Sequence, residues 1–528
     1  MTRFSIHRKW QKPTYGILLL GILLIAFLIR IYKLGAYSMW LDEVDCIYAG
    51  IKNIPYHPPL FLKLTLLWLP LGTTDFSLRL LPVLISLIGI VVFWNLARKF
   101  CGKYTAAVSA ILFATSPPLV YYSREFRMYI LLAVLALISW DRFFDYMEKG
   151  GTIRLLQYSL STALVFYTHH FGFYFAVGQA VSGVFFGLNK QSLRRLFSGL
   201  FLAGLLYTPW ILKLWFLIRR FTGSQYWAES ITWKTPFYSW RFFTAGYEPP
   251  PWLQWSLGIL IALLTIYTLI HCKEKRCHLF ILGNTIIPVI AAFIVSAIMP
   301  ASMFVPRYAI FAIPPVLLAV SWAITSNKKH LLSATILATI LIFHGIALTY
   351  HYTNTFAGGI LREVRPRKEY RQAATYIADH YQQDDGIFTT CESGSLPVWY
   401  YLTFRRGLPH SYQVDLDGAY RKHLEPKYNM PELIEMYPFV DLVDIKTLTG
   451  NFNRIWLFES GWDVTSNPDD LFLRHSKRIR KWLSERFLQI DHKVFYGVEV
   501  RLFDTARVPS DAWESRFSGS ANNPVSGK

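Results

Sequence analysis

Three acids share one short stretch. In Met39–Leu60, MWLDEVDCIYAGIKNIPYHPPL, the carboxylates of Asp42, Glu43 and Asp45 come first and a His57-Pro58-Pro59 turn closes the segment. The stretch follows an apolar run, Tyr15–Leu34, long enough to cross a bilayer, so the acids belong at a membrane surface. Two neighbouring carboxylates at a low-dielectric boundary resist joint ionisation, and one of them can then hold its proton more tightly and act as a base. The plainer use of Asp42 or Glu43 is to cap a helix over Val44–Lys52, and both uses stay open at this point. Pro58 and Pro59 suit the first turn of a second helix, which sets His57 at its start, where backbone N–H groups favour an anion such as a phosphate. As a simple turn residue His57 would need no ligand.

A second constellation lies between later apolar runs. Tyr121-Tyr122-Ser123-Arg124-Glu125-Phe126-Arg127-Met128-Tyr129 follows Pro117-Pro118, Tyr167-Thr168-His169-His170 ends another run, and Arg307-Tyr308 follows Pro306 just inside a late one. An arginine inside a membrane helix costs roughly 2.5–3.5 kcal/mol unless it is paired or near an end. Arg307 is therefore expected to face a polar cavity. The aromatic-rich connection from Phe221 to Trp252 suits an interfacial belt, with stacking on a sugar as a secondary use.

These residues need a scaffold, and composition says which kind. The chain has 528 residues, 53% hydrophobic and 17% aromatic, with mean hydropathy +0.28, too apolar for an ordinary soluble domain. About eleven apolar windows read as spanning helices, 15–34, 77–97, 104–121, 128–147, 155–167, 171–188, 196–216, 253–270, 279–299, 304–325 and 331–350, of which 155–167 is the weakest, short enough to need its flanks. Lys and Arg cluster before the first and at every second connection thereafter, which sets the amino terminus inside and everything after Tyr350 outside. Much of the net charge of +20 is then topological, and no nucleic-acid motif accompanies it. The first run reads as a retained anchor rather than a cleaved leader. Five cysteines form no disulfide framework, and Cys272 and Cys277, beside His271 and His278, have a spacing unlike the usual zinc pairs.

The expected architecture is a polytopic α-helical membrane protein with a C-terminal extracytoplasmic α/β domain. Residues 1–352 form the membrane domain, with a first outer loop at 35–76 and another at 217–252. Residues 353–506 form the α/β domain and 507–528 a disordered tail. Within the α/β domain, Tyr370, Ala374, Ile377 and Tyr381 mark an amphipathic helix. Gly386–Thr390, Arg454–Phe458 and Val494–Phe503 read as strands, with a helix over Asp469–Phe487 between the last two.

Taken in order, WLDEVD, HPPL, YYSREFRMY, THHF and PRYAIFAIPP resemble the bacterial branch of the dolichyl-phosphate-mannose protein mannosyltransferase family, which is related to the aminoarabinose transferases of lipid A modification. The resemblance implies a glycosyltransferase of the C-type (GT-C) fold in the plasma (inner) membrane. Such an enzyme moves a sugar from a polyprenyl-phosphate donor to an envelope glycan, lipid or protein on the outer face, with inversion. It implies Asp42 as general base, Glu43 beside it, and Glu125 as a second acid. His57, Arg307 and Arg127 would hold the donor phosphate, and Tyr129, Tyr308, His169 and His170 would line the substrate site. No cofactor is obligatory; a divalent metal held by Asp42 and Glu125 is an optional element, and no metal site is assigned. Two other classes compete: a transporter of a lipid-linked or amphipathic substrate, and a non-catalytic assembly scaffold.

Overall fold

The computed structural model describes residues 13–54, 58–187, 189–221, 231–299, 304–357, 367–416, 442–460 and 471–506. The expectations for His57, for residues 222–230 of the second outer loop and for a tail at 507–528 lie outside the described residues. The chain divides into two compact units. The first comprises Met1–Ala36, Pro55–Ile218 and Tyr226–Pro366, the second Tyr37–Ile54, Arg219–Gln225 and Arg367–Lys528. Residues 37–54, read from sequence as part of the membrane domain, thus belong to the C-terminal unit.

The first unit is helical. Its elements are α1 (Pro13–Ile31), α3 (Pro59–Trp68), α4 (Asp75–Cys101), α5 (Lys103–Thr115), α6 (Pro117–Ser123), α7 (Tyr129–Lys149), α8 (Thr152–Phe166) and α9 (Gly172–Phe186). They continue with α10 (Lys190–Phe221), α11 (Thr235–Ala245), α12 (Pro251–His271), α13 (Lys275–Ile281), α14 (Ile287–Ile298), α15 (Ile313–Ser326) and α16 (His330–Tyr352). Each of the eleven apolar windows falls mainly on helix. Among the described residues six helical stretches are long and apolar enough to cross a membrane, or seven if the α5–α6 pair, bent by 59°, is one span. The chain is a multi-pass membrane protein, and among the described residues six or seven of the eleven expected spans reach full length. The shortfall has physical causes. Helices α8 and α9 have 15 residues each, about 22 Å against a hydrocarbon core of about 30 Å. The last turns of α7 carry Asp141, Arg142, Asp145, Glu148 and Lys149.

Large apolar side chains point outward along α1 (Ile17, Leu20, Leu24), α10 (Phe197, Phe201, Leu205) and α16 (Leu331, Ile342), as a lipid-facing surface requires. Helices α7 and α15 are interior: Tyr129 to Leu137 and Trp140 of the one, and Ile313 to Ser321 of the other, are all buried. Helix α9 crosses a π-helical turn, Leu282–Ile286, between α13 and α14. The contact is so close that a Cβ on Gly178 would sit 1.7 Å from the Gly283 carbonyl oxygen.

One end of this unit gathers the basic connections. Arg276 Nε pairs with Glu148 Oε1 at 2.6 Å, Lys149 with Asp145 at 3.2 Å, and Lys99 bonds Asp141. Arg195 Nη1 donates to the carbonyls of Met147 and Glu148 at 2.7 and 3.1 Å. Four connections that the charge pattern assigns to one face therefore meet at the C-terminal end of α7. Its N-terminal end, beginning at Tyr129, lies about 31 Å away along a 21-residue helix.

The second unit contains α2 (Leu41–Lys52), α17 (Tyr370–His380), α18 (Glu392–Val398) and α19 (Leu471–Ser484) with a six-stranded sheet. The strands are β1 (Asp385–Thr389), β2 (Tyr412–Asp415), β3 (Leu442–Asp444), β4 (Arg454–Glu459), β5 (Leu488–Phe495) and β6 (Val498–Asp504). Their order is β3-β2-β1-β4-β6-β5: the first four are parallel neighbours, while β6 runs antiparallel to both β4 and β5. Val494–Phe503 is consequently not one strand. It is the end of β5, a turn and β6, because Gly497 takes φ +72°, a conformation that reverses the chain at little cost for glycine. Phe388, Val414, Ile455, Leu457, Ile479, Leu483 and Phe503 form the core between the sheet and α19. Helix α17 buries Tyr370, Ala373, Ala374 and Ile377, the one-faced pattern expected of it.

Candidate functional site

In the first unit the site begins with a break. Pro117 and Pro118 start α6 and end the ladder of α5, since proline has no N–H to donate. The bend returns the chain so that Arg124–Met128 lies over the N-terminus of α7, with the Arg127 N–H donating to the Glu125 carbonyl at 2.7 Å. Phe126 is fully buried and packs on Phe61 of α3 at 5.3 Å between centroids, and the Leu60 N–H donates to the Tyr167 carbonyl at 3.0 Å. The start of α3, the 124–128 connection and the 167–170 connection are thereby tied together.

A 3-10 segment, Pro306–Ala312, brings Arg307 and Tyr308 to the same place; the non-helical Ala309 (φ −99°, ψ 27°) separates it from a regular helix. Arg307 Nε donates to Tyr129 Oη at 3.1 Å. The guanidinium carbons of Arg127 and Arg307 lie 5.7 and 5.8 Å from the centroid of the Tyr129 ring. Tyr308 stacks on Tyr129 at 6.1 Å with 23° between planes, and His169 lies 4.6 Å from Tyr308. His169 Nδ1 accepts the Phe171 N–H at 3.1 Å, so a neutral imidazole there carries its proton on Nε2. His170, with its ring 6.4 Å from that of His169, is half-buried. Glu125 is buried, and both it and Arg307 act electrostatically on the Tyr122 phenol, which meets the Tyr129 ring at 5.0 Å.

The structure therefore assembles Glu125, Arg127, Tyr129, His169, Arg307 and Tyr308 from three connections far apart in sequence. Arg124 serves elsewhere. Its Nη2 donates to the Tyr32 carbonyl at 2.7 Å and its guanidinium covers the Tyr352 ring at 4.6 Å, joining the ends of α1 and α16. One participant carries little signal in the sequence: Tyr122, against Tyr129, is one aromatic among several there.

In the second unit α2 starts at Leu41, three residues earlier than expected, with Trp40 as the N-cap residue. Glu43 is fully buried; its Oε2 accepts from Arg367 Nη1 at 2.7 Å and from the Trp40 N–H at 3.4 Å. Glu43 thus satisfies the helix start and forms a buried ion pair. Asp45 is also buried, while Asp42 is half-buried and the most accessible of the three acids. Burial pushes the Tyr48 and Tyr370 phenols up.

Among the described residues no group of three or more His, Cys, Asp or Glu side chains is arranged to hold a metal ion. Cys272 and Cys277 are buried free thiols.

Residues 56–215 match the family model described as dolichyl-phosphate-mannose-protein mannosyltransferase. The resemblance to this family stands. The matched stretch contains Glu125, Arg127, Tyr129, His169 and His170. The structure is also similar to ArnT from Cupriavidus metallidurans bound to undecaprenyl phosphate, with a TM-score of 0.62 and 12% identity over 93% of this chain and 98% of that one. For ArnT of the same organism in the apo state the TM-score is 0.61 at 12% identity, covering 94% and 99%. At such identity the likeness is one of fold. No protein of curated function matches the sequence.

Proposed function

We propose that this protein is a membrane glycosyltransferase that moves a sugar from a polyprenyl-phosphate donor to an envelope glycan, lipid or protein on the outer face of the plasma membrane. The observation that carries the reading is the pair of buried guanidinium groups, Arg127 and Arg307, gathered on one tyrosine ring, with Arg307 oriented by the Tyr129 hydroxyl. Two like charges in a low-dielectric site favour a bound anion, and arginine suits phosphate because its planar fork offers several donors. The ArnT structure of similar fold binds undecaprenyl phosphate, which agrees with a phosphate on a long apolar chain as the donor's anchor.

In this reading the acceptor hydroxyl attacks the anomeric carbon, its O–H proton passes to the Asp42 carboxylate, and the anomeric C–O bond to the lipid phosphate breaks. Arg127 and Arg307, with His57, balance the charge that grows on the departing phosphate. A single displacement inverts the anomeric centre. Tyr129, Tyr308, His169 and His170 line the substrate, and Glu125 holds the cations in register. The lysine- and arginine-rich end of α7 faces the cytoplasm by the positive-inside rule, so the Tyr129 end faces outward.

The donor half of this reading is tested by binding. Undecaprenyl phosphate titrated against the purified protein in nanodiscs should bind wild type, and Arg127→Gln/Arg307→Gln should weaken it by about a hundredfold, as the loss of two charge-assisted contacts requires. Equal affinity for both proteins would remove the phosphate from this site.

A further inference from the structure

We propose that the C-terminal unit positions the acid-bearing helix for the reaction, with Arg367 and Tyr401 as positioning residues for Asp42. This rests on the glycosyltransferase reading and deepens it: the part of the second unit from Arg367 onward would serve the reaction by acting through α2.

Helix α2 has 12 residues, too few to stay folded alone in water. Its residues Glu43 to Gly50 are all buried, on every face rather than one, so packing within the second unit supplies its stability. The contacts that fix it converge on its first turn. The Arg367 guanidinium bonds Glu43 at 2.7 Å and lies 5.7 Å from the Trp40 ring centroid. The Met39 N–H donates to Tyr401 Oη at 2.7 Å. Ser38 is held from both sides, accepting the Arg371 N–H at 3.1 Å and donating to Gln372 Oε1 at 3.2 Å.

Tyr401 stands on a π-helical turn, Trp399–Phe404, that continues α18. Such turns are rare and recur at functional sites, where they re-aim a side chain. Here the turn supplies Tyr401 to the extended approach of α2 and Trp399 to its far end, against Tyr48 at 4.8 Å. Residues 38–43 are therefore bonded at nearly every step, and the acid left half-buried among them is Asp42. A carboxylate that must meet an acceptor hydroxyl within a few tenths of an ångström needs such support, because a base about 1 Å out of place costs about a hundredfold in rate. Glu43 then serves as the anchor of Asp42, and Arg367 as the anchor of Glu43.

Intact wild type, Arg367→Ala, Arg367→Lys and Tyr401→Phe in nanodiscs test this by two readouts. Hydrogen exchange over residues 41–52 should quicken about tenfold or more in Arg367→Ala, with β1 and β4 unchanged. Transfer from radiolabelled undecaprenyl-phosphate sugars should show kcat falling about tenfold or more in Arg367→Ala with the donor KM altered less than about threefold, Arg367→Lys recovering part of it, and Tyr401→Phe falling less. Unchanged exchange over α2 in Arg367→Ala overturns the inference whether or not transfer is observed. A loss seen in KM alone also overturns it. Absence of transfer by wild type, with exchange altered as described, counts against the glycosyltransferase reading and leaves the anchoring of α2 supported.

Discussion

Arg307 reaches Tyr129 across 178 residues of sequence, its Nε donating to the phenol oxygen at 3.1 Å. The bond fixes the plane of the guanidinium beside the Tyr129 ring. Replacing Arg307 by Gln should raise the donor KM about tenfold or more, since a hydrogen bond to a charged group is worth about 1.5–3 kcal/mol. Arg307→Lys should recover little, because a point charge cannot reproduce the fork. Steady-state kinetics with an undecaprenyl-phosphate sugar checks both.

Tyr129→Phe removes the orienting acceptor and keeps the ring beneath both guanidiniums. The expected loss is about 0.5–1.5 kcal/mol, or roughly two- to tenfold in donor KM. Tyr129→Ala should cost more, because the stacking with Tyr308 and the cation contacts go as well. Equal effects of Phe and Ala would mean that the hydroxyl carries the whole role.

The α9 crossing predicts a contrast between two glycines. Gly178→Ala should destabilise the protein by about 3 kcal/mol or more, because its Cβ would meet a backbone carbonyl that cannot yield. Gly345→Ala in α16, where a Cβ meets nothing within 4 Å, should be neutral or stabilising by up to about 1 kcal/mol. Thermal unfolding in one detergent compares them directly.

His475 gives the second unit a pH dependence. Burial holds its pKa below the ordinary histidine value, outweighing the Asp415 carboxylate 3.9 Å away; Nε2 donates to the Val414 carbonyl at 3.1 Å. The folded state keeps the ring neutral where the unfolded chain already takes a proton, so the unfolded state binds more protons below about pH 6.5. Stability is then fully present above that pH and falls as the solution is acidified toward the lowered folded value. Protection factors of β2 amides between about pH 7 and pH 5 should drop in wild type and drop less steeply in His475→Gln.

Much of this was legible in the sequence, for identifiable reasons. Apolar runs must be helical where no water satisfies the backbone, so each window fell mainly on helix. Their span count was less legible, because α8 and α9 are short and α7 ends in charge. Arg307 was readable because a buried arginine needs a polar site. Glu43 was not: its neighbours in sequence suggest catalysis, while its partner Arg367 lies 324 residues on, and no local pattern joins them. The β5–β6 hairpin was hidden likewise, because Tyr496-Gly497 interrupts an otherwise continuous strand pattern by a single residue of positive φ.

In the proposed reaction a sugar leaves a lipid phosphate with Asp42 as base. The most direct measurement supplies radiolabelled undecaprenyl-phosphate sugars and an extract of envelope glycans to membranes holding wild type or Asp42→Asn at equal protein level. Label should move to an acceptor with wild type and fall by about a hundredfold or more with Asp42→Asn, as loss of a general base requires. Equal movement with both proteins would rule out Asp42 as the base and leave it a residue of the helix start.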